Sequence, residues 1–164
     1  MNEIELIVGL KIPDTTAITA FHTLEKLGYN RLIKLKREDY YKFSTAEPIP
    51  KFSKKIGKVD ILVNANKNKF IVKSAKEPFE EEKQGRLFIT KILVKDREDG
   101  AKALLKTLQE RLGLKKIKKL EKGALWTLYI SAPSEELAKI MAKDISWKLL
   151  FNENYQERKI MQVG

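Results

Sequence analysis

Gly113 lies 85 positions after Gly28, and at the same spacing apolar residues answer one another along the chain: Ile4 with Ile89, Val8 with Leu93, Leu27 with Leu112, Leu32 with Ile117, Leu35 with Leu120, Tyr41 with Trp126 and Phe43 with Leu128. A hydrophobic pattern that recurs at a fixed offset constrains the chain to build one supersecondary unit twice, because each copy must bury the same faces. The offset lengthens to 88 between the turn residues Asn64 and Asn152, so an insertion separates the copies within the second helix of each half.

The first copy reads as β-α-β-α-β. Ile4, Leu6, Val8, Leu10 and Ile12 alternate with Glu3, Glu5, Ile7, Gly9 and Lys11, the period of two that turns one set of side chains onto a buried sheet face. Pro13 stops this strand, and Asp14 or Thr15 can cap the helix that follows. Ala17, Ala20, Phe21, Leu24 and Leu27 form the helical stripe, and Gly28 supplies the left-handed residue that ends it. Residues 31–45 read as a long bent strand or a hairpin. Phe52, Ile56, Val59, Leu62 and Val63 then fall at helical spacing, and residues 70–72 close the copy as a short strand. The second copy repeats the order. Residues 87–95 form a strand, Asp96 and Asp99 resemble a capping pair, and Ala101, Leu104, Leu105, Leu108 and Leu112 form a stripe ending at Gly113. A long strand, a helix with the stripe Leu137, Ile140, Met141, Ile145 and Leu149, and a strand over 155–163 complete it. In both copies two apolar residues stand three apart within an extended segment, so a bulge or bend is expected at Ile33-Lys34 and at Lys118-Lys119.

Charge marks the boundary between the copies. The chain carries net +11, divided as +7 over residues 1–76, −3 over 77–85 and +7 over 86–164. The segment Glu77-Pro78-Phe79-Glu80-Glu81-Glu82-Lys83-Gln84-Gly85 combines a proline, repelling carboxylates and a glycine, a linker composition. The expected organisation is therefore a first repeat over 1–76, an acidic linker over 77–85 and a second repeat over 86–164. The fold class is α+β, with antiparallel sheets carrying helices on one face. With 43% hydrophobic residues the chain can bury a real core. It has no cysteine, which rules out disulfides and thiolate chemistry. No apolar run approaches the roughly 18 residues of a membrane span, and residues 1–5 do not resemble a signal peptide, so a cytoplasmic location without membrane contact is expected.

The most distinctive surface lies between residues 112 and 130. Lys115, Lys116, Lys118, Lys119 and Lys122 form a basic crossing ahead of an alternating strand in which Ala124, Trp126, Leu128 and Ile130 face the helices. Leu125 and Tyr129 then point to the opposite sheet face, joined by Phe88, Ile92 and Val94, and the first copy offers Ile7, Leu32 and Tyr40 there. That face is too apolar to stay wet, so the two halves pack sheet to sheet, share strands, or are covered by a second chain as in a homodimer. The lysines, together with Leu125, Tyr129, Phe88, Ile92 and Tyr40, are the candidate partner-contact residues.

Nothing in the sequence assembles an active site. It has no Gly-rich phosphate loop, no HExxH motif and no clustered ligands for a metal, and its one histidine, His22, lies beside the helical stripe as a surface residue without a catalytic companion. Carboxylates such as Asp96 and Asp99 sit at helix starts, where capping accounts for them. No cofactor is expected.

The order of a strand, a helix ending in Leu-Gly, a basic crossing with an alternating strand, and a helix running into an Asn turn resembles the PurS family. Its members are small subunits of the multisubunit formylglycinamide ribonucleotide amidotransferase (phosphoribosylformylglycinamidine synthase), an ATP- and glutamine-dependent ligase of purine biosynthesis. In the second half the resemblance is carried by Leu112-Gly113, Leu120, Lys122-Gly123, Leu128, Lys148-Leu149-Leu150-Phe151-Asn152 and Tyr155. In the first half it is carried by Leu27-Gly28, Leu35, Phe43 and Leu62-Val63-Asn64-Ala65-Asn66. The family has Gly then Lys in the middle crossing, where this chain has Lys122-Gly123 and Arg37-Glu38. Family members are about half this length and self-associate, so the resemblance implies a fused tandem, a covalent pseudo-dimer. It also implies an adaptor with no active site of its own, which joins the glutaminase subunit to the synthetase subunit and supports ammonia transfer between them.

Two other readings come from different classes. A basic run beside Trp126 and Tyr129 is how β-sheet modules hold nucleic acid, but no Lys/Arg-Gly-aromatic core of an RNA recognition motif is present, and a solvated lysine face outweighs that reading. A tandem α+β module that senses a metabolite is the other.

Overall fold

A computed structural model of the chain describes residues 1–80, 85–97 and 100–163. Asp99, expected to pair with Asp96 as a cap, and residues 81–84 of the acidic segment lie outside the described residues. The elements run in the order β1 (Asn2–Leu10), α1 (Thr15–Lys26), β2 (Leu32–Thr45), α2 (Ile49–Ile56), β3 (Asn68–Ser74), β4 (Phe88–Asp96), α3 (Gly100–Lys106), β5 (Ile117–Ile130), α4 (Glu135–Ile145) and β6 (Gln156–Val163). Both α3 and α4 continue into five-residue π turns, Thr107–Arg111 and Ser146–Leu150.

The helix boundaries follow local chemistry. Asp14 accepts from the amides of Thr16 and Ala17 at 2.8 and 3.2 Å and so starts α1, while Ser134 accepts from Leu137 N at 3.2 Å and starts α4. Gly28 and Gly113 take φ of +96° and +71°, the left-handed conformation that reverses the chain after α1 and after the first π turn. Leu27 and Leu112, expected in the buried stripes, are instead about half exposed, because each sits at the last position before that reversal. Helix α2 ends at Ile56 rather than continuing to Val63. A Cβ on Gly57 would meet the Phe70 ring at 2.6 Å, so the glycine at the helix end leaves room for that ring. Val59, Leu62 and Val63 are buried nonetheless, from a turn.

The six strands form one antiparallel sheet in the order β3-β1-β2-β5-β4-β6, a single shared sheet rather than one per half. The β1 register on β2 sets Ile4 opposite Phe43 and Leu6 opposite Tyr41. On β3, Glu5 faces Lys73 and Leu6 faces Val72.

The chain divides into two compact units that cut across its halves. One comprises residues 1–12, 38–78 and 96–123; the other comprises 13–37, 79–95 and 124–164. In the first, Ile4, Leu6 and Val8 of β1, Phe43 of β2, Phe52 and Ile56 of α2, Leu108 of the π turn, and Ile117 and Leu120 of β5 share one core. In the second, Ala17 and Leu24 of α1, Leu32 and Leu35 of β2, Ile92 and Val94 of β4, Trp126, Leu128 and Ile130 of β5, and Ala138, Ala142 and Ile145 of α4 share another. Strands β2 and β5 each supply both cores. Every fully buried Leu, Ile or Phe here contributes about 1.5–3 kcal/mol, so the two long strands connect the largest stabilising terms.

Strict alternation breaks where expected. Leu32 and Leu35 lie in one core with exposed Ile33 and Lys34 between them, and Ile117 and Leu120 lie in the other with exposed Lys118 and Lys119 between them. In α4 the buried stripe is Ala138, Ala142, Ile145 and Leu150, while Ile140 and Leu149 are exposed. The two alanines, lacking bulk, mark the face that packs on the sheet.

The face of β4 also differs from expectation. Ile92 and Val94 belong to the helix-side core, with Phe88 packed against it, and it is Lys91 and Leu93 that alternate onto the face shared with Leu125 and Tyr129. The reason is one residue of register. The 85-residue offset holds from α1 to α3 and from β2 to β5, but β4 begins 86 positions after β1. A one-residue slip exchanges the two faces of a strand.

Candidate functional site

The sheet face away from the helices is buried, and it buries charge. In the first unit the Glu5 carboxylate, 2% exposed, accepts a hydrogen bond from the Tyr40 hydroxyl at one oxygen and from Lys73 Nζ at 2.5 Å at the other. Lys73 donates further to the carbonyls of Ser74 and Glu77, at 3.2 and 2.6 Å. Burial first, and then the hydrogen bond to Glu5, push the Tyr40 phenol far above its ordinary range, so it stays a donor. In the second unit Lys91 Nζ donates to Thr127 Oγ1 at 3.1 Å and lies 5.6 Å from the centroid of the Phe79 ring. Phe79, in the segment expected as a linker, is buried there.

Of the sequence candidates, Tyr40, Ile92, Leu125 and Tyr129 are 1–2% exposed and Phe88 is partly buried within a core, so these five offer a partner almost no surface. Tyr129 also carries Lys34 Nζ 5.0 Å from its ring centroid, and Trp126 carries the Arg37 guanidinium at 6.0 Å. Both rings are occupied by the chain's own cations. His22 is a surface residue, 3.7 Å from Glu25.

The lysine crossing is different. Lys115, Lys116, Lys118 and Lys119 are exposed and Lys122 is half-buried. Gly113 reverses the chain out of the π turn, Lys118 Nζ donates to the Lys115 carbonyl at 3.0 Å, and Gln109 Nε2 donates to the Ile117 carbonyl at 2.6 Å, which fixes the entry into β5. The four lysines then line two cavities of the first unit. Lys118 and Lys119 border one of about 390 Å³ with Asn2, Glu3, Ser44 and Lys76. Lys115 and Lys116 border one of about 190 Å³ with Thr45, Glu47, Phe52 and Lys55.

Glu47 was not singled out from the sequence. It is 5% exposed, and its Oε1 takes Lys55 Nζ at 2.6 Å. The Lys55 hydrogen bond holds its carboxyl below the ordinary range against the opposing effect of burial, with Lys55, Lys116 and Lys51 adding electrostatic support. Its backbone is held as well: its amide donates to Thr45 Oγ1 at 3.2 Å and its carbonyl accepts from Asn2 Nδ2 at 2.8 Å. The only sequence signal was a carboxylate in a proline-flanked turn ahead of a basic helix. Among the described residues no group of His, Cys, Asp and Glu could hold a metal ion, and no helix is long and apolar enough to cross a membrane. Chemically the crossing is an anion-attracting surface, with one fixed carboxylate in the smaller cavity. No protein-family model and no curated protein matches this chain.

Proposed function

We propose that this chain is a non-catalytic adaptor subunit of a formylglycinamide ribonucleotide amidotransferase, built as a tandem duplication of two PurS-like repeats that form a covalent pseudo-dimer. Residues 1–76 and 86–164 are the repeats and 77–85 joins them. The observation that carries the reading is the strand order. Replacing each of β1, β2 and β3 by β4, β5 and β6, and the reverse, leaves β3-β1-β2-β5-β4-β6 unchanged when read from the other edge. Two copies of one β-α-β-α-β unit, paired through β2 and β5 about a pseudo-twofold axis, give that order. The shared break in alternation and the matched Gly28 and Gly113 reversals support the duplication.

The adaptor role rests on the resemblance to the PurS family and on a surface whose most exposed chemistry is lysine. Lys118 and Lys119 suit an acidic patch on a glutaminase or synthetase partner, where rim charges govern the rate of association. The test is reconstitution in a cytoplasmic extract or from purified subunits. Glutamine-dependent synthesis by the two partner subunits should require this chain, while ammonia-dependent synthesis should not. A glutamine-dependent rate that is unchanged without the chain overturns the reading.

A further inference from the structure

The cavity between β2, α2 and the lysine crossing is built more specifically than a charged surface requires. Its volume of about 190 Å³ leaves room for a small metabolite. The buried Phe52 gives it an apolar wall. Lys115 and Lys116 stand at its border as two exposed cations, and Lys55 is already engaged by Glu47. Glu47 is the unusual element. Ionised at neutral pH, a carboxylate only accepts hydrogen bonds and has room for several donors, yet Lys55 satisfies only Oε1. A ligand for this cavity therefore needs a doubly charged anionic end for the lysines, a short carbon body for Phe52 and a hydroxyl donor for Glu47.

We propose that the cavity walled by Lys115, Lys116, Phe52 and Glu47 binds a small hydroxylated phosphate monoester, with the phosphate at the two lysines and a hydroxyl donating to Glu47. Lysine suits phosphate as a compact point charge. The site goes beyond the adaptor reading and does not depend on it, since it lies within one unit of the isolated chain.

The probe is glycerol 3-phosphate, titrated calorimetrically into the purified full-length chain at low and at physiological salt, with inorganic phosphate and glycerol as comparators. Saturable binding is expected, with the ester at least tenfold tighter than inorganic phosphate and glycerol without effect. Lys115→Ala combined with Lys116→Ala should weaken the ester at least tenfold. Glu47→Gln should bring ester and inorganic phosphate to equal affinity. Glu47→Gln is judged only if circular dichroism shows it folded at the assay temperature; the two exposed lysines provide the test if it is not. Absence of saturable binding, equal affinity of the wild-type chain for ester and phosphate, or unchanged binding by the double lysine variant overturns the proposal. Because no partner subunit is present, such a failure leaves the adaptor reading standing.

Discussion

Glu5 and Lys91 occupy corresponding places, 86 positions apart, on the face of the sheet turned away from the helices, and both are buried. The first unit satisfies its buried charge with the opposite charge and a phenol. In the second, Lys91 donates to a threonine hydroxyl and lies over an aromatic face. The difference teaches that corresponding sheet positions need not share their electrostatics: once a face is covered, each strand must accommodate whatever charge it carries, and the local partners decide the cost of removing one.

The largest test of that contrast is Lys73→Ala, which strips the ammonium from Glu5 and leaves a buried carboxylate. It should cost about 3–5 kcal/mol by urea unfolding. Thr127→Val, which removes the neutral hydroxyl that accepts from Lys91, should cost less, about 1.5–3 kcal/mol, the range for a hydrogen bond to a charged group. Equal losses would erase the distinction between losing a countercharge and losing a neutral acceptor. Tyr40→Phe should cost about 1.5–3 kcal/mol, the range for a hydrogen bond to a charged group. It also has a pH signature. The folded phenol holds its proton above the ordinary value of 10.0, so the unfolded chain ionises first, and wild-type stability should fall as pH rises above that value. The Phe variant should lack that fall. Glu47→Gln is smaller, about 1 kcal/mol or less, because half-exposed Lys55 is screened by solvent. Its sign is opposite: with the folded carboxyl below 4.5, the difference from wild type should be full above that pH and disappear as pH drops below it. Of similar size are Gly28→Ala and Gly113→Ala, each about 1 kcal/mol. No atom lies within 4 Å of the added Cβ at either position, so the loss is backbone strain alone and should be equal at the two positions.

The element order was legible because alternation, helical spacing and the two Leu-Gly ends are local signals. The broken alternation at Ile33-Lys34 and Lys118-Lys119 was legible for the same reason. What misled was the assumption that one offset serves every element. A single residue in the connection after β1 moved Ile92 and Val94 to the helix side, and no local signal fixes such a slip. Helix α2 was read too long because the helical spacing of Val59, Leu62 and Val63 runs on past Gly57, a poor helix former, where the helix stops. The lysine crossing could be found as a charge run, but Glu47 could not, since its burial and its pairing with Lys55 exist only after α2 folds back. Tyr40 and Tyr129 lay where alternation placed them, and their burial followed from a covered face that the strand pattern had itself required; Phe88 went to the helix side with the rest of its strand face.

Strands β2 and β5, which each feed two cores, also set a timetable for synthesis. Leu24 of α1 is fully buried in a core whose other walls include Trp126, Leu128 and Ile145. At about 5–20 residues per second, those walls leave the ribosome on the order of ten seconds after α1 does. Through that interval the apolar stripe of α1 has only Leu32 and Leu35 of β2 among its buried core partners, and the first core likewise waits for Leu108, Ile117 and Leu120. Such long-range closure makes for slow folding, with apolar surface of the nascent first half exposed to aggregation.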